Sequence, residues 1–337
     1  MAGGSTFNLS LPREWGDEHG LSKGDTLYIY PNDDRVIVAP STIDDESNTA
    51  RIDVADIPKE GVKQRIRGAY TAGCDRIVVP SDGPTEADPV TDTVRNLIGM
   101  AVQTVTDDEV VIQDHLDSGV VSVPQSAERI RLLAAEMQRD AVAAVRTDDD
   151  TLARVVHERD DEVDRLFAFV SRCFSRGLVD VNELDRLNVT RKEAFHYYKL
   201  ARELERVADK AERIADVAVA QSSQPADDLG RRFEELVNAA TDVVILALAD
   251  DTDGALDAHR TVTDRLAPLD DRLAAGGDPD AYRYGRDLVE SARQTSTFGL
   301  NIVNMNIEAS VTHTFQSERE EHHTRPRPTT SFGRGTN

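Results

Sequence analysis

Four carboxylates recur at one-turn intervals in residues 202–216, a stretch that reads RELERVADKAERIAD. They are Glu205, Asp209, Glu212 and Asp216. In a helix, residues three or four apart lie on the same face, and carboxylates placed in this way can chelate or bridge a hard cation. The alternative is a hydrated helix surface on which neighbouring arginines form ion pairs with the acids. The stretch is therefore either a site or a solvated surface.

The same stretch carries a second, apolar period that predicts its structure. Apolar residues follow one another at spacings of 4, 3, 4, 3 and 4: Leu200, Leu204, Val207, Ala211, Ile214 and Ala218. This spacing is typical of a helix that packs at a shallow angle in a bundle. With Leu204 at heptad position a, the carboxylates take positions b and f, so we expect them on the outward face of the bundle.

The chain beyond Pro124 predicts two successive three-helix units. Thr190 followed by Glu193 forms a capping box that opens the third helix. The predicted helices cover residues 126–146, 152–176, 190–221, about 229–247, about 262–273 and 280–313. We therefore expect a first repeat at 124–222 and a second at 223–317. Residues 318–337 are charged and nearly without apolar side chains, which predicts a disordered tail.

The first 123 residues predict two smaller parts that contain strands. In residues 1–43, β-rich runs at 26–30 and 35–39 flank a polar turn, which indicates a hairpin. So few strands bury little surface alone, and such a module usually needs a partner chain. Residues 44–123 alternate strand and helix patterns and predict a small α+β unit. The expected fold class is mainly α with N-terminal β and α+β parts.

Composition restricts the classes of partner. The formal net charge is −23 and the pI is near 4.7, which argues against broad binding to nucleic acids or anionic membranes. Only six residues are lysine, and excess carboxylate with scarce lysine is typical of proteins that stay hydrated in concentrated salt. Two cysteines, the lack of a long apolar run and the lack of a signal peptide predict a cytoplasmic protein that does not span a membrane.

Two motifs resemble those of the PhoU family of phosphate-signalling regulators. LERVADKAERIAD at 204–216 follows DDEVDRLFAFV at 160–170, and the pair is similar to the family's E/D-x-x-x-D motifs on neighbouring helices. The resemblance implies two three-helix bundles and a divalent or iron-type metal ion on the first repeat. Its implied ligands are Asp160, Asp164, Glu205 and Asp209.

The second repeat departs from this pattern. In the equivalent registers, Arg293 and Thr297 stand where the first repeat has Glu205 and Asp209. The positions that match Asp160 and Asp164 carry no acid either, since they hold Thr263 and Ala267. We therefore expect at most one metal cluster, and a role in packing or partner contact for the second repeat.

The N-terminal segment resembles SpoVT/AbrB-like domains, which are swapped-hairpin dimers that often bind DNA. The residues that carry the resemblance are SLPREW at 10–15 and LSKGD at 21–25. It implies a homodimer formed through residues 1–43, and DNA contacts from Arg13 and Lys23. No phosphate-binding loop, nucleophile triad or zinc-ligand spacing accompanies these motifs.

Together, the resemblances imply a non-enzymatic regulator of phosphate uptake and intracellular phosphate homeostasis. It would act negatively on a phosphate ABC transporter system or on its transcription, with transporter components and promoter DNA as partners. One alternative is an AbrB-type transcription regulator with a non-phosphate effector. Another is a carboxylate-bridged metal-binding protein or oxidase, although ferritin-like sites of that kind sit inside a bundle.

Overall fold

The computed structural model describes residues 9–32, 35–39, 48–54, 57–81, 87–115, 121–179, 181–276 and 279–324. The chain divides into two compact units, Met1–Thr49 and Ala50–Asn337. None of the described helices combines the length and the apolar character that crossing a bilayer requires.

The first unit contains a short helix and the predicted hairpin. Helix α1 (Arg13–Glu18) precedes strands β1 (Tyr28–Asn32) and β2 (Arg35–Ala39). The two strands pair antiparallel within one chain, with Ile29 opposite Val38. Ile29 and Val36 are exposed, because two strands alone bury little apolar surface. The SpoVT/AbrB-like fold and the dimer stay predictions.

A four-stranded sheet with two helices forms the α+β part. Its elements are β3 (Thr49–Arg51), α2 (Lys59–Thr71), β4 (Arg76–Pro80), α3 (Ala87–Arg95), β5 (Met100–Val105) and β6 (Glu109–Asp114). The strand order is β3-β4-β6-β5, and β6 pairs antiparallel with both β4 and β5. Ile66 and Tyr70 of α2 are fully buried in the same cluster as Ile77 and Ile112 of the sheet. The small core of this part is therefore made by α2, α3 and the sheet.

The rest of the described chain is helical, which confirms the mainly α class. The helices are α4 (Val123–Thr147), α5 (Asp150–Val179), α6 (Val181–Arg186), α7 (Arg191–Ala220), α8 (Asp227–Leu248), α9 (Thr252–Ala275) and α10 (Pro279–Thr324). The capping box at the start of α7 is present, with reciprocal bonds between Thr190 and Glu193. Helix α10 continues beyond His313, into residues that composition assigns to the tail, while residues 325–337 lie outside the described part.

One continuous hydrophobic core joins six of the described helices, α4, α5 and α7 to α10. Helices α4, α5 and α7 pack against one another, and so do α8, α9 and α10, while α4 also contacts α8 and α7 contacts α10. The predicted seam of α7 is confirmed from Leu204 to Ala218, where each of its apolar residues is at most 1% exposed. The seam therefore turns α7 inward and determines where its acids lie.

Arginines of α5 attach the sheet part to the helices. Arg172 is 2% exposed and donates to the carbonyl oxygens of Tyr70 and Cys74 at 3.0 and 2.8 Å. It also donates to Asp114 Oδ2 at 2.7 Å, and Arg176 reaches the same oxygen at 2.9 Å. Buried charges need this kind of pairing. The contacts hold the sheet part on α5, the helix that carries Asp160 and Asp164.

Candidate functional site

Acids from two neighbouring helices meet along the contact between α5 and α7. Asp160 and Asp164 come from α5, and Glu205, Asp209 and Glu212 come from α7; we call these five residues the acid cluster. All five are partly buried. The expectation that the α7 acids lie on an outward, hydrated face is therefore wrong in part. Heptad position alone does not show that α5 packs beside positions b and f and shields them from solvent.

Burial and mutual repulsion change the acidity of the cluster. Burial, followed by repulsion from Glu212, Asp164, Asp209 and Glu205, raises the pKa of Asp160 to about 8. Burial, then Asp209 and Asp164, raises the pKa of Glu205 to about 7, while Arg202 and Arg206 oppose the change. Burial also raises the pKa of Asp209, against the attraction of Lys210. These three carboxylates therefore hold protons more tightly than isolated carboxylates do.

Only part of this negative charge is balanced by basic side chains. Arg67 of α2 lies 3.2 Å from Asp164, and His157 of α5 lies 3.1 Å from Glu212. The carboxylates of Asp160, Glu205 and Asp209 form no ion pair or hydrogen bond with any other residue that the structure describes. Partly buried carboxylates that lack an ion pair are costly unless they gain a proton or a cation.

The residues fit a metal ion by chemistry but not by their present arrangement. Carboxylate oxygens are the hard donors that divalent cations prefer. Among the described residues, however, no group of three or more His, Cys, Asp or Glu side chains is arranged to hold a metal ion. The structure thus brings the four predicted ligands to one region but does not arrange them as a coordination shell.

Sequence reasoning missed two basic neighbours of the cluster. One is His157, whose Nδ1 lies 3.1 Å from Glu212 Oε1 and whose Nε2 lies 3.4 Å from Asp216 Oδ1. A signal was available, because His157 precedes Asp160 by three residues and shares its helix face. Arg67 gives no such signal, since it is distant in sequence from Asp164.

The equivalent positions of the second repeat show no acid cluster. Arg293 pairs with Glu290 of its own helix, and the Thr297 hydroxyl donates to the Arg293 carbonyl oxygen at 3.1 Å. The Thr263 hydroxyl likewise donates to a backbone carbonyl within α9, and Ala267 is exposed. These hydroxyls are therefore engaged in local helix contacts.

The predicted DNA contacts lie in the first unit, and both side chains are exposed. Arg13 is 94% exposed, with Nε 3.8 Å from Asp17 Oδ2. Lys23 occupies a turn in which the Ser22 amide donates to Asp25 Oδ2 at 2.6 Å. The structure places them at the surface and provides no further evidence on DNA.

Residues 128–218 match the family model described as the PhoU domain. This segment runs from α4 to α7 and contains the whole acid cluster. The crystal structure of the phosphate transport system regulatory protein PhoU from Streptococcus pneumoniae is similar to this chain at 14% sequence identity and a TM-score of 0.43. The similarity covers 55% of this chain and 91% of that chain. No curated protein matches the sequence.

Proposed function

We propose that the protein regulates phosphate uptake and intracellular phosphate homeostasis, and that it acts negatively on a phosphate ABC transporter system or on its transcription. The observation that carries this proposal is the match of residues 128–218 to the PhoU domain. That segment holds the acid cluster, in which burial and neighbouring acids raise the pKa of Asp160 and Glu205. The role is regulatory rather than catalytic, and transporter components are the proposed partners.

A cation is the proposed ligand of the acid cluster, either a divalent or an iron-type metal ion. The support is the crowding of Asp160, Glu205 and Asp209, whose carboxylates form no ion pair with a described residue that would have to break before they turn toward a cation. Coordination requires these side chains to move, because the described residues do not form a metal-binding group in their present positions. The cation would neutralise the repulsion that, after burial, raises the pKa of Asp160.

Metal content of the purified protein tests this ligand. We expect Glu205→Gln/Asp209→Asn to remove metal that the unaltered protein retains after dialysis. The matched control is Asp253→Asn/Asp257→Asn, which neutralises two exposed acids one turn apart on α9. Equal metal content in all three proteins would exclude the site, and its loss in both variants would indicate nonspecific binding to an acidic surface.

The N-terminal unit is the proposed dimerisation and promoter-binding part. Its support is the LP-x-x-W and KGD motifs, together with a hairpin whose Ile29 and Val36 are exposed. We expect Arg13→Ala/Lys23→Ala to weaken binding to promoter DNA of the phosphate-transporter operon. Loss of two phosphate contacts should reduce the slope of log affinity against log salt by about 2. An unchanged affinity and slope would exclude these residues as contacts.

Deletion of the gene tests the function directly. Transporter transcripts are compared between the deletion strain and its parent in phosphate-rich and phosphate-poor medium. We expect transcripts or uptake to rise in phosphate-rich medium, because a negative regulator has been lost. If neither changed in either medium, the proposal would fail.

A further inference from the structure

Helix α7 carries a positively charged face beside its acids. Arg191, Phe195, Lys199 and Arg202 follow at spacings of 4, 4 and 3, which places them on one helix face, and Lys192 lies at its margin. We call these five residues the α7 basic strip. From Arg191 to Arg202 it extends for about 16 Å, or three helical turns. The strip therefore carries four cations in a chain of net charge −23.

Most of the strip is open to solvent. Arg191, Lys192 and Arg202 are exposed and form no ion pair with any other residue in the described part of the chain. Phe195 is 49% exposed. The Lys199 ammonium lies 5.4 Å from the centre of the Phe195 ring and 2.7 Å from Glu308 Oε2. The strip thus presents an exposed aromatic ring among four cations. Within the described part of the chain, Lys199 forms an ion pair, and Arg202 lies near enough to Glu205 to oppose the rise of the Glu205 pKa.

Packing beneath the strip holds the central ring in place. Phe195 lies against Phe174 of α5, with ring centres 5.8 Å apart, and Phe174 stacks on Tyr198 at 4.8 Å. An aromatic side chain that is already ordered loses little entropy when a partner covers it. Aromatic residues and arginine are also the types that are enriched at the centre of protein interfaces.

We propose that the α7 basic strip docks an acidic amphipathic helix of a protein partner. Acidic side chains would pair with Arg191, Lys192 and Arg202, while apolar side chains would cover Phe195. A nucleic acid or an anionic membrane extends far beyond the strip and is repelled by the net charge of the whole chain. A short helix of about three turns meets only the strip. The inference depends neither on the phosphate pathway nor on a metal in the acid cluster.

Fluorescence anisotropy with defined probes tests the inference on the full chain. The main probe is a labelled helical peptide with glutamates at i, i+4, i+7 and i+11 and leucines beside them. Parallel probes are the same peptide with lysines for glutamates, a duplex DNA of twenty base pairs, and vesicles containing phosphatidylglycerol. The test variant is Lys192→Glu/Arg202→Glu. The control is Arg231→Glu/Arg232→Glu, which reverses two exposed arginines of α8.

We expect the acidic peptide to bind the unaltered protein and the α8 control equally, and the α7 variant at least about tenfold more weakly. Phe195→Ala should also weaken binding without changing the helical circular-dichroism signal. Failure of the unaltered protein to bind the acidic peptide overturns the inference. The inference is also overturned if both charge-reversed proteins lose affinity for the acidic peptide equally. Two other results would overturn it: stronger binding of DNA or vesicles that depends on the strip, or a concentration-dependent dimer that the α7 variant abolishes.

Discussion

Neutralising Asp160 should make the protein more stable at alkaline pH. Asp160→Asn keeps the shape of the side chain and removes one of five partly buried charges. Its pKa is raised from the usual 3.8 to about 8, first by burial and then by the surrounding acids. In the folded protein its ionisation is therefore unfavourable, and folding stability falls as pH rises between these two values. The substitution should remove this loss.

The pKa difference of Asp160 sets an upper limit on the gain. A pKa unit corresponds to about 1.4 kcal/mol, so a rise from 3.8 to about 8 corresponds to at most about 6 kcal/mol. The carboxylate can rotate toward water, and Glu205, whose pKa is about 7, can take up a proton instead. We therefore expect about 1–3 kcal/mol of added stability at pH 9. The gain should shrink steadily as pH is lowered toward 4.

This gain is measured by urea unfolding of the full chain at pH 5 and pH 9 with a chelator present, with circular dichroism as the signal. The matched control is Asp161→Asn, which neutralises the adjacent, exposed aspartate of the same helix. We expect the control to change the free energy of unfolding by less than about 0.5 kcal/mol. The reasoning is refuted if Asp160→Asn gives no more stability at pH 9 than the control, or if its gain is equally large at pH 5.

Three further predictions concern the structure that holds the site. Arg172→Met should lower the free energy of unfolding by about 3–5 kcal/mol, because it leaves buried acceptors unpaired. Arg165→Met, at an exposed position of α5, should lower it by less than about 1 kcal/mol. Equal urea midpoints for the two variants would contradict this prediction. Gly299→Ala should lower the free energy of unfolding by about 1–3 kcal/mol, because the added methyl group would lie 3.0 Å from the α8 backbone. Gly68→Ala, with open space around the added group, should be neutral or stabilising in the same assay. Thr190→Ala should cost about 1 kcal/mol by removing one half of the capping box, and an unchanged thermal midpoint would show that the cap is energetically unimportant.

Local patterns predicted most of the helices, although α9 begins at Thr252, well before the predicted start near residue 262, and the short α6 was not predicted. The apolar seam of α7 and the reciprocal bonds at Thr190 depend on residues three to four apart, and such short-range relations can be read from one sequence. The hairpin likewise follows from two β-rich runs around a polar turn. Residues 204–216 correctly indicated a bundle helix, because both of its periods are local.

Tertiary contacts account for what was not predicted. The acids of α7 are partly buried because α5 lies beside them, and helix periodicity alone does not reveal which neighbour covers which face. Arg172 is an unexceptional arginine in the sequence, yet its partners at Tyr70, Cys74 and Asp114 make it a buried anchor. The same limit applies to Arg67, which reaches Asp164 from a different structural layer.

Phosphate uptake in a complemented deletion strain tests the central claim most directly. The deletion strain receives either the unaltered gene, the Glu205→Gln/Asp209→Asn variant or the Asp253→Asn/Asp257→Asn control, and uptake of radiolabelled phosphate is measured in phosphate-rich medium. We predict high uptake in the deletion strain and in the acid-cluster variant, and low uptake with the unaltered gene and the α9 control. Uptake that is the same with and without the gene would contradict a role in phosphate regulation, and full repression by the acid-cluster variant would contradict the role assigned to Glu205 and Asp209.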